Sequence, residues 1–218
     1  MGKDLRFEAA FKLKEKVLNK NLVDIAHNLG VTIFSEGRLN KGWIGQTLDK
    51  LIEVDKVNGC FPDGEDFELK SVKVVFQNDE WIPKETMAIT MFNPNKILTE
   101  EFQTSALWKK LERLIIVGSY YQSVTPMAAY IKFIRPIDVN DPALVNQIKD
   151  YWEEIKSLTI EGKISSYSSK GTSRGFIQLR TKGSGQSESL CPVTGAKFKT
   201  RAYYATKPFL KYVWGVMS

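Results

Sequence analysis

Histidine is almost missing from this chain: there is one, His27, in 218 residues. A single imidazole excludes zinc centres built on several histidines and argues against a Ser-His-Asp nucleophilic system. Cysteine is nearly as scarce. Cys60 and Cys191 show none of the spacings used for metal or redox chemistry, and they read as free thiols in a reducing cytoplasm. No apolar run approaches the roughly 18 residues that a membrane span needs. The start, Met1 to Phe7, lacks the apolar stretch of a secretory signal, and Arg6 stands where a myristoylation signal needs Ser or Thr. The expectation is a cytoplasmic protein with no membrane partner.

What is present is a hydrophobic content of 43%, enough for a real core, in a length that suits one domain. Charge is unevenly spread. The formal net charge is +6, but from Lys156 to Ser218 there are eleven Lys and Arg against two acids, Glu161 and Glu188, leaving the rest slightly acidic. A basic block of this kind is what phosphate binding requires. Its plain alternative is a solvated basic face.

The richest stretch runs Pro62-Asp63-Gly64-Glu65-Asp66-Phe67-Glu68-Leu69-Lys70. A strand has a side-chain period of two, so Glu68 and Lys70 share one face while Phe67 and Leu69 point into a core. Asp63 can join them from the preceding turn, and Asp66, on the face of Glu68 and Lys70, is a rival. Two carboxylates can hold Mg²⁺, and an ammonium beside them can orient a water. That equipment suits phosphodiester hydrolysis. Short acid-acid-lysine spacings also arise by chance on solvated strands.

Periodicity predicts helices over 4–18, 22–30 and 41–53. The first has Leu5, Ala9, Leu13 and Val17 as its stripe, and the third has Ile44, Leu48, Leu51 and Ile52. Gly42, Gly45 and Asp49 share an adjacent face of the third. Two glycines there suggest close approach of another element and turn Asp49 towards the acidic strand. Residues 22–31 also resemble the start of a helix-turn-helix. Strands are expected over 66–77, where Val72, Val74 and Phe76 continue the alternation, and over 86–93, 114–117 and 127–135. A short helix fits 104–112. Asp141-Pro142 caps a helix to about Glu161, stopped by Gly162, with Leu144, Ile148, Trp152, Ile155 and Leu158 buried. A strand fits 176–180, and Thr181 to Thr200 reads as a mobile Gly-, Ser- and Lys-rich segment before a helix from about Pro208. Strands alternating with helices argue for an α/β or α+β fold around a mixed sheet.

Several of these pieces, in this order, resemble the MutH family of endonucleases within the PD-(D/E)xK nucleases. They are Lys41-Gly42-Trp43-Ile44-Gly45 leading to Asp49, Pro62-Asp63 with Glu68-Leu69-Lys70, Glu85-Thr86, and Ser105 to Arg113. Asp150 to Glu154, Gln178 to Lys182, and Arg201 to Tyr204 with Phe209 complete the series. The resemblance implies a restriction-endonuclease-like fold of central mixed sheet and flanking helices, with a catalytic lobe over 1–140 and a basic DNA-reading lobe over 141–218. It implies that Asp63 and Glu68 hold Mg²⁺, Lys70 positions the attacking water, Asp49 assists, and Lys110 lies near the scissile phosphate. Arg180 and Lys182 would read bases in the groove, and Tyr204 would lie near the base whose methylation is sensed. Lys197, Lys199, Arg201 and Lys207 would contact the duplex.

The expected activity is a Mg²⁺-dependent endonuclease on double-stranded DNA at a short site such as GATC. The preferred form is a type II restriction enzyme, which could act as a homodimer on DNA. The alternative is a mismatch-repair nickase that works with MutL at hemimethylated GATC. An alternative of another class is a non-catalytic helix-turn-helix DNA-binding protein.

Overall fold

The structure is a computed structural model that describes residues 5–57, 67–121, 128–168, 175–182 and 187–215. In chain order its helices are α1 (Leu5–Val17), α2 (Leu22–Asn28), α3 (Trp43–Val57), α4 (Ala106–Leu111), α5 (Pro142–Ile160) and α6 (Lys207–Trp214). Its strands are β1 (Phe34–Ser35), β2 (Arg38–Leu39), β3 (Glu68–Gln77), β4 (Glu80–Pro83), β5 (Met87–Met91), β6 (Leu114–Tyr120), β7 (Tyr130–Pro136), β8 (Ile177–Thr181), β9 (Glu188–Leu190), β10 (Lys197–Lys199) and β11 (Arg201–Ala205). The architecture is mixed α/β, with a mixed sheet flanked by helices, compatible with a nuclease fold.

The chain forms two compact units. The first comprises Met1–Glu85, Arg113–Ile137 and Val213–Ser218, and the second Thr86–Glu112 and Asp138–Tyr212. Neither is a continuous stretch.

The first unit is built on a four-stranded sheet of order β4-β3-β6-β7. Strands β3 and β6 are parallel and the other pairs antiparallel. Strand β6 is buried from Leu114 to Ser119, the near-continuous apolar run of a strand covered on both faces. A core cluster joins Ala9, Leu13 and Val17 of α1 with Ile44, Leu48 and Ile52 of α3 and Ile115 and Val117 of β6. Gly118 is required by sterics: a Cβ there would meet the Phe133 ring at 2.8 Å and Val74 at 3.2 Å.

Two expectations fail in this unit. No recognition helix follows α2. Past Gly30 the β-branched and aromatic residues Thr32, Ile33 and Phe34 favour extended backbone, and Glu36 and Gly37, at φ 50° and 73°, turn the chain into the β1–β2 hairpin. The helix-turn-helix reading is therefore overturned. Phe76 shares the face of Val72 and Val74 but is 56% exposed, lying against the Trp81 ring with centroids 5.3 Å apart. The β3–β4 hairpin had no counterpart in the sequence reading. Its turn is made by Asn78 and Asp79 at φ 50° and 60°, residue types that tolerate the left-handed region.

The second unit holds an antiparallel sheet of order β5-β11-β8. Asp141 caps α5, its Oδ1 accepting from the Ala143 and Leu144 N–H groups at 2.9 and 3.4 Å. The buried side of α5 is Leu144, Ile148, Tyr151, Trp152, Ile155 and Thr159. Glu188 to Lys199 is a hairpin, β9 with β10, rather than the mobile segment expected. The Gly195 N–H, at φ 70°, donates to the Cys191 carbonyl at 2.8 Å and closes its turn.

Candidate active site

Strand β3 enters the sheet at Glu68, whose N–H donates to the Arg113 carbonyl at 3.0 Å. Parallel pairing sets Glu68 opposite Leu114 and Lys70 opposite Ile116. The period-two expectation holds: Phe67 and Leu69 pack against the core cluster, while Lys70 Nζ lies 2.8 Å from Glu68 Oε1. Both side chains are about one-third exposed, at 31% and 30%, so the pair is accessible to a ligand while anchored in a central strand.

The second carboxylate comes from α3. Trp43, Ile44, Thr47, Leu48 and Ile52 are buried, which leaves Asp49 on the solvent side of the helix. Its carboxyl is held above the usual range, first by partial desolvation, then by the negative charges of Glu53 and Glu68; Lys70 acts in the opposite direction. Asp49 therefore lies within electrostatic reach of both Glu68 and Lys70. Among the described residues the close approach expected at the glycines is absent. No described atom comes within 4 Å of a Cβ built at Gly45, and Gly42 meets only Asn40 and Gln46 at 3.5 and 3.7 Å.

Asp49 and Glu68 offer hard oxygen donors whose mutual repulsion a divalent cation would relieve, so the donor chemistry fits Mg²⁺. Among the described residues no group of three His, Cys, Asp or Glu converges. Asp63 and Asp66 lie outside the described residues.

A different cluster forms in the second unit. Strands β8 and β11 pair so that Arg180 faces Ala202 and Gln178 faces Tyr204. The Arg180 guanidinium carbon lies 5.4 Å from the Tyr204 ring centroid and Lys182 Nζ lies 5.6 Å from it, within cation–π range. Arg180 Nη1 donates to Thr86 Oγ1 at 2.7 Å. Both cations remain exposed. Two supporting residues were missed. Thr86 aims the arginine; it stands in the Glu85-Thr86 piece of the family resemblance, which gave it no role. Tyr151 accepts from the Leu179 N–H at 2.6 Å and bonds Tyr167 Oη at 2.8 Å; its place on the helical stripe of α5 could have revealed it. Burial pushes its hydroxyl pKa well up.

The remaining basic residues divide. Lys199 and Lys207 are exposed, Lys197 is exposed and pairs with Glu188 at 3.1 Å, and Lys110 is exposed on α4. Arg201 departs from expectation. It is 8% exposed, its guanidinium donates to the Ile164 and Tyr167 carbonyls at 2.8 Å each, and it faces the Tyr167 and Phe198 rings. Buried and satisfied in this way, it braces the unit from inside rather than presenting charge to a duplex. Among the described residues no helix is long and apolar enough to cross a membrane.

A family model described as "DNA mismatch repair enzyme MutH" matches residues 56–143. That span contains Glu68, Lys70 and Lys110 but not Asp49, Arg180 or Tyr204. The "DNA mismatch repair protein MutH" of Actinobacillus pleuropneumoniae serotype 5b (strain L20) is 26% identical over 169 residues, covering 74% of this chain and 70% of that one. The protein of the same name from Shewanella sp. (strain W3-18-1) is 26% identical, covering 74% and 71%. That of Vibrio cholerae serotype O1 (strain ATCC 39541 / Classical Ogawa 395 / O395) is 23% identical, covering 77% and 75%.

Proposed function

We propose, from the family-model match over residues 56–143 and the relatives 26% identical to this chain, that it is a MutH-type endonuclease and that it hydrolyses phosphodiesters in double-stranded DNA, at a short site such as GATC, with Mg²⁺ as cofactor. The observation that carries this is the Glu68–Lys70 pair at 2.8 Å on a central strand, with Asp49 in electrostatic reach. Glu68 and Asp63 would hold the ion, assisted by Asp49. Bound there, Mg²⁺ supplies charge neutralisation at the scissile phosphate and lowers the cost of ionising water.

The protein's own groups do the positioning. Glu68 fixes the ammonium of Lys70, and Lys70 orients the attacking water. The water oxygen forms a bond to phosphorus as the bond to the leaving oxygen breaks. One proton passes to solvent and the leaving oxygen takes one up. Lys110 neutralises a phosphate. Arg180 and Lys182, held beside Tyr204, read base edges in the major groove, where Arg pairs with guanine acceptors. Lys197, Lys199 and Lys207 contact backbone phosphates, which position the duplex without reading it. Arg201 is left out of this set.

The preferred finer reading is a type II restriction enzyme that cuts both strands without a partner. A second reading, favoured by the names of the relatives, is a mismatch-repair nickase that acts with MutL. Methylated and unmethylated plasmid, incubated with the protein in Mg²⁺ beside a Lys70→Ala control, separate them. Discrete double-strand fragments absent from the control support restriction. Nicks alone, or cleavage only when MutL is added, support the nickase. Duplex binding without any cleavage would overturn the nuclease reading.

A further inference from the structure

Helix α1 is apolar on two sides. Ala9, Leu13 and Val17 are buried in the core of the first unit. Phe7, Phe11 and Leu18 remain 46%, 62% and 40% exposed. At the α-helical repeat, Phe7, Phe11, Lys14 and Leu18 fall within ~60° of arc, a second stripe separate from the buried one. One apolar stripe suffices to seat a surface helix, and a contiguous second one marks an interaction surface.

That stripe borders a groove against β7, the outer strand of the sheet. A cavity of about 240 Å³ is lined by Phe7, Phe11, Lys14 and Arg135, and one of about 50 Å³ by Lys14, Leu18, Lys132 and Arg135. Lys14 and Arg135 line both, so the two form one groove. From Phe7 to Leu18 the helix rises ~16 Å, the length of about three turns of a partner helix. The groove has a charge as well as a shape. Two cations, Lys14 and Arg135, border it along both cavities, while the Lys132 ammonium turns to the Trp81 ring, 4.9 Å from its centroid; no carboxylate is among the described residues lining it. The nearby Glu8 is taken by Lys12 at 3.2 Å.

These features choose the occupant. In a twofold dimer through this groove Lys14 and Arg135 of each copy would meet the same cations and no carboxylate from the groove of the other, a repulsive arrangement. A DNA backbone needs polar donors rather than exposed phenyl rings. An amphipathic helix with apolar residues on one side and acids beside them matches both the floor and the rim. We propose that the α1–β7 groove is a docking surface for an acidic amphipathic helix of a partner protein.

The test uses the full chain and a fluorescein-labelled helical peptide of about three turns, with Leu on one face and Glu elsewhere, followed by anisotropy. Saturable binding is expected, at least ~10-fold weaker for Phe11→Asp and for Arg135→Glu, since central apolar and charged anchors dominate such interfaces. A counterpart with Lys replacing Glu is expected not to bind. Phe11→Asp is expected to leave plasmid cleavage unchanged, which separates this proposal from the nuclease reading. No saturable binding, or equal binding by wild type and both variants, would overturn it. So would a sedimenting dimer that Phe11→Asp abolishes, or loss of duplex-DNA affinity in that variant.

Discussion

Lys70 and Glu68 stand two residues apart on one strand, and Lys70 Nζ meets Glu68 Oε1 at 2.8 Å. The pleat sets both on one face, and the core contacts of Phe67 and Leu69 fix which face it is. The ammonium that would orient water is thus pre-positioned by the carboxylate that would hold the metal.

Replacing either member should therefore remove chemistry rather than binding. Lys70→Ala and Glu68→Gln are expected to slow single-turnover cleavage by ~10²-fold or more, the scale of losing one positioned charge at a reacting centre. Duplex affinity in a gel-shift assay should change little. A tenfold loss of affinity with intact cleavage at saturating protein would contradict this assignment.

Metal dependence should be visible without activity. The carboxylates of Asp49 and Glu68 repel each other in the free protein. An ion held by the folded protein alone stabilises it, so on the proposed function titrating Mg²⁺ into EDTA-treated protein should raise the thermal midpoint. In Glu68→Gln that rise should be sharply reduced. Equal rises in both proteins would place the ion elsewhere.

The two basic sets should behave differently on DNA. Arg180→Ala is expected to cost about 1–3 kcal/mol of discrimination at one base position and to relax specificity there. Lys199→Ala should weaken binding to all sequences alike and lower the salt slope by about 1. Competition binding with single-base variants of the site, at several salt concentrations, checks both.

Tyr151 supports the strand that carries Arg180. Tyr151→Phe deletes the acceptor of the Leu179 N–H and the partner of Tyr167. An unpaired buried N–H costs about 1–3 kcal/mol. Urea denaturation should detect that loss with an unchanged slope. A variant as stable as wild type would mean that another acceptor serves Leu179.

Asp141 gives a stability term with a defined pH range. The hydrogen bond from Tyr212 Oη, at 2.6 Å, and those from the α5 N–H groups hold its carboxyl below the usual range. Its folded pKa is depressed, so its contribution is present above the ordinary carboxylate pKa and is lost as pH falls through the folded one. Asp141→Ala should cost about 1 kcal/mol at neutral pH, the usual worth of an N-cap. Denaturation at a series of pH values should show that difference shrinking in acid. A constant difference would mean that packing, not charge, is responsible.

The sequence by itself determined whatever depends on local spacing. The stripes of α1, α3 and α5 gave helices, the Asp141-Pro142 cap and Gly162 bounded α5, and the period of two set Glu68 and Lys70 together. These features need only the repeat of one element. Turns were harder. Nothing in Asn78-Asp79 or Glu36-Gly37 alone distinguishes a hairpin from a loop, because the positive φ values are selected by the strands that pair on either side. Only the tertiary structure decided that Asp49 comes within reach of Glu68, that Arg180 and Lys182 flank Tyr204 with Thr86 as anchor, and that Arg201 is buried. Each of those facts joins separate elements. Arg180 and Arg201 are both basic residues on neighbouring strands, and their sequence surroundings do not tell one from the other. Strand register and burial, set by cooperative packing, turned one outward and the other in.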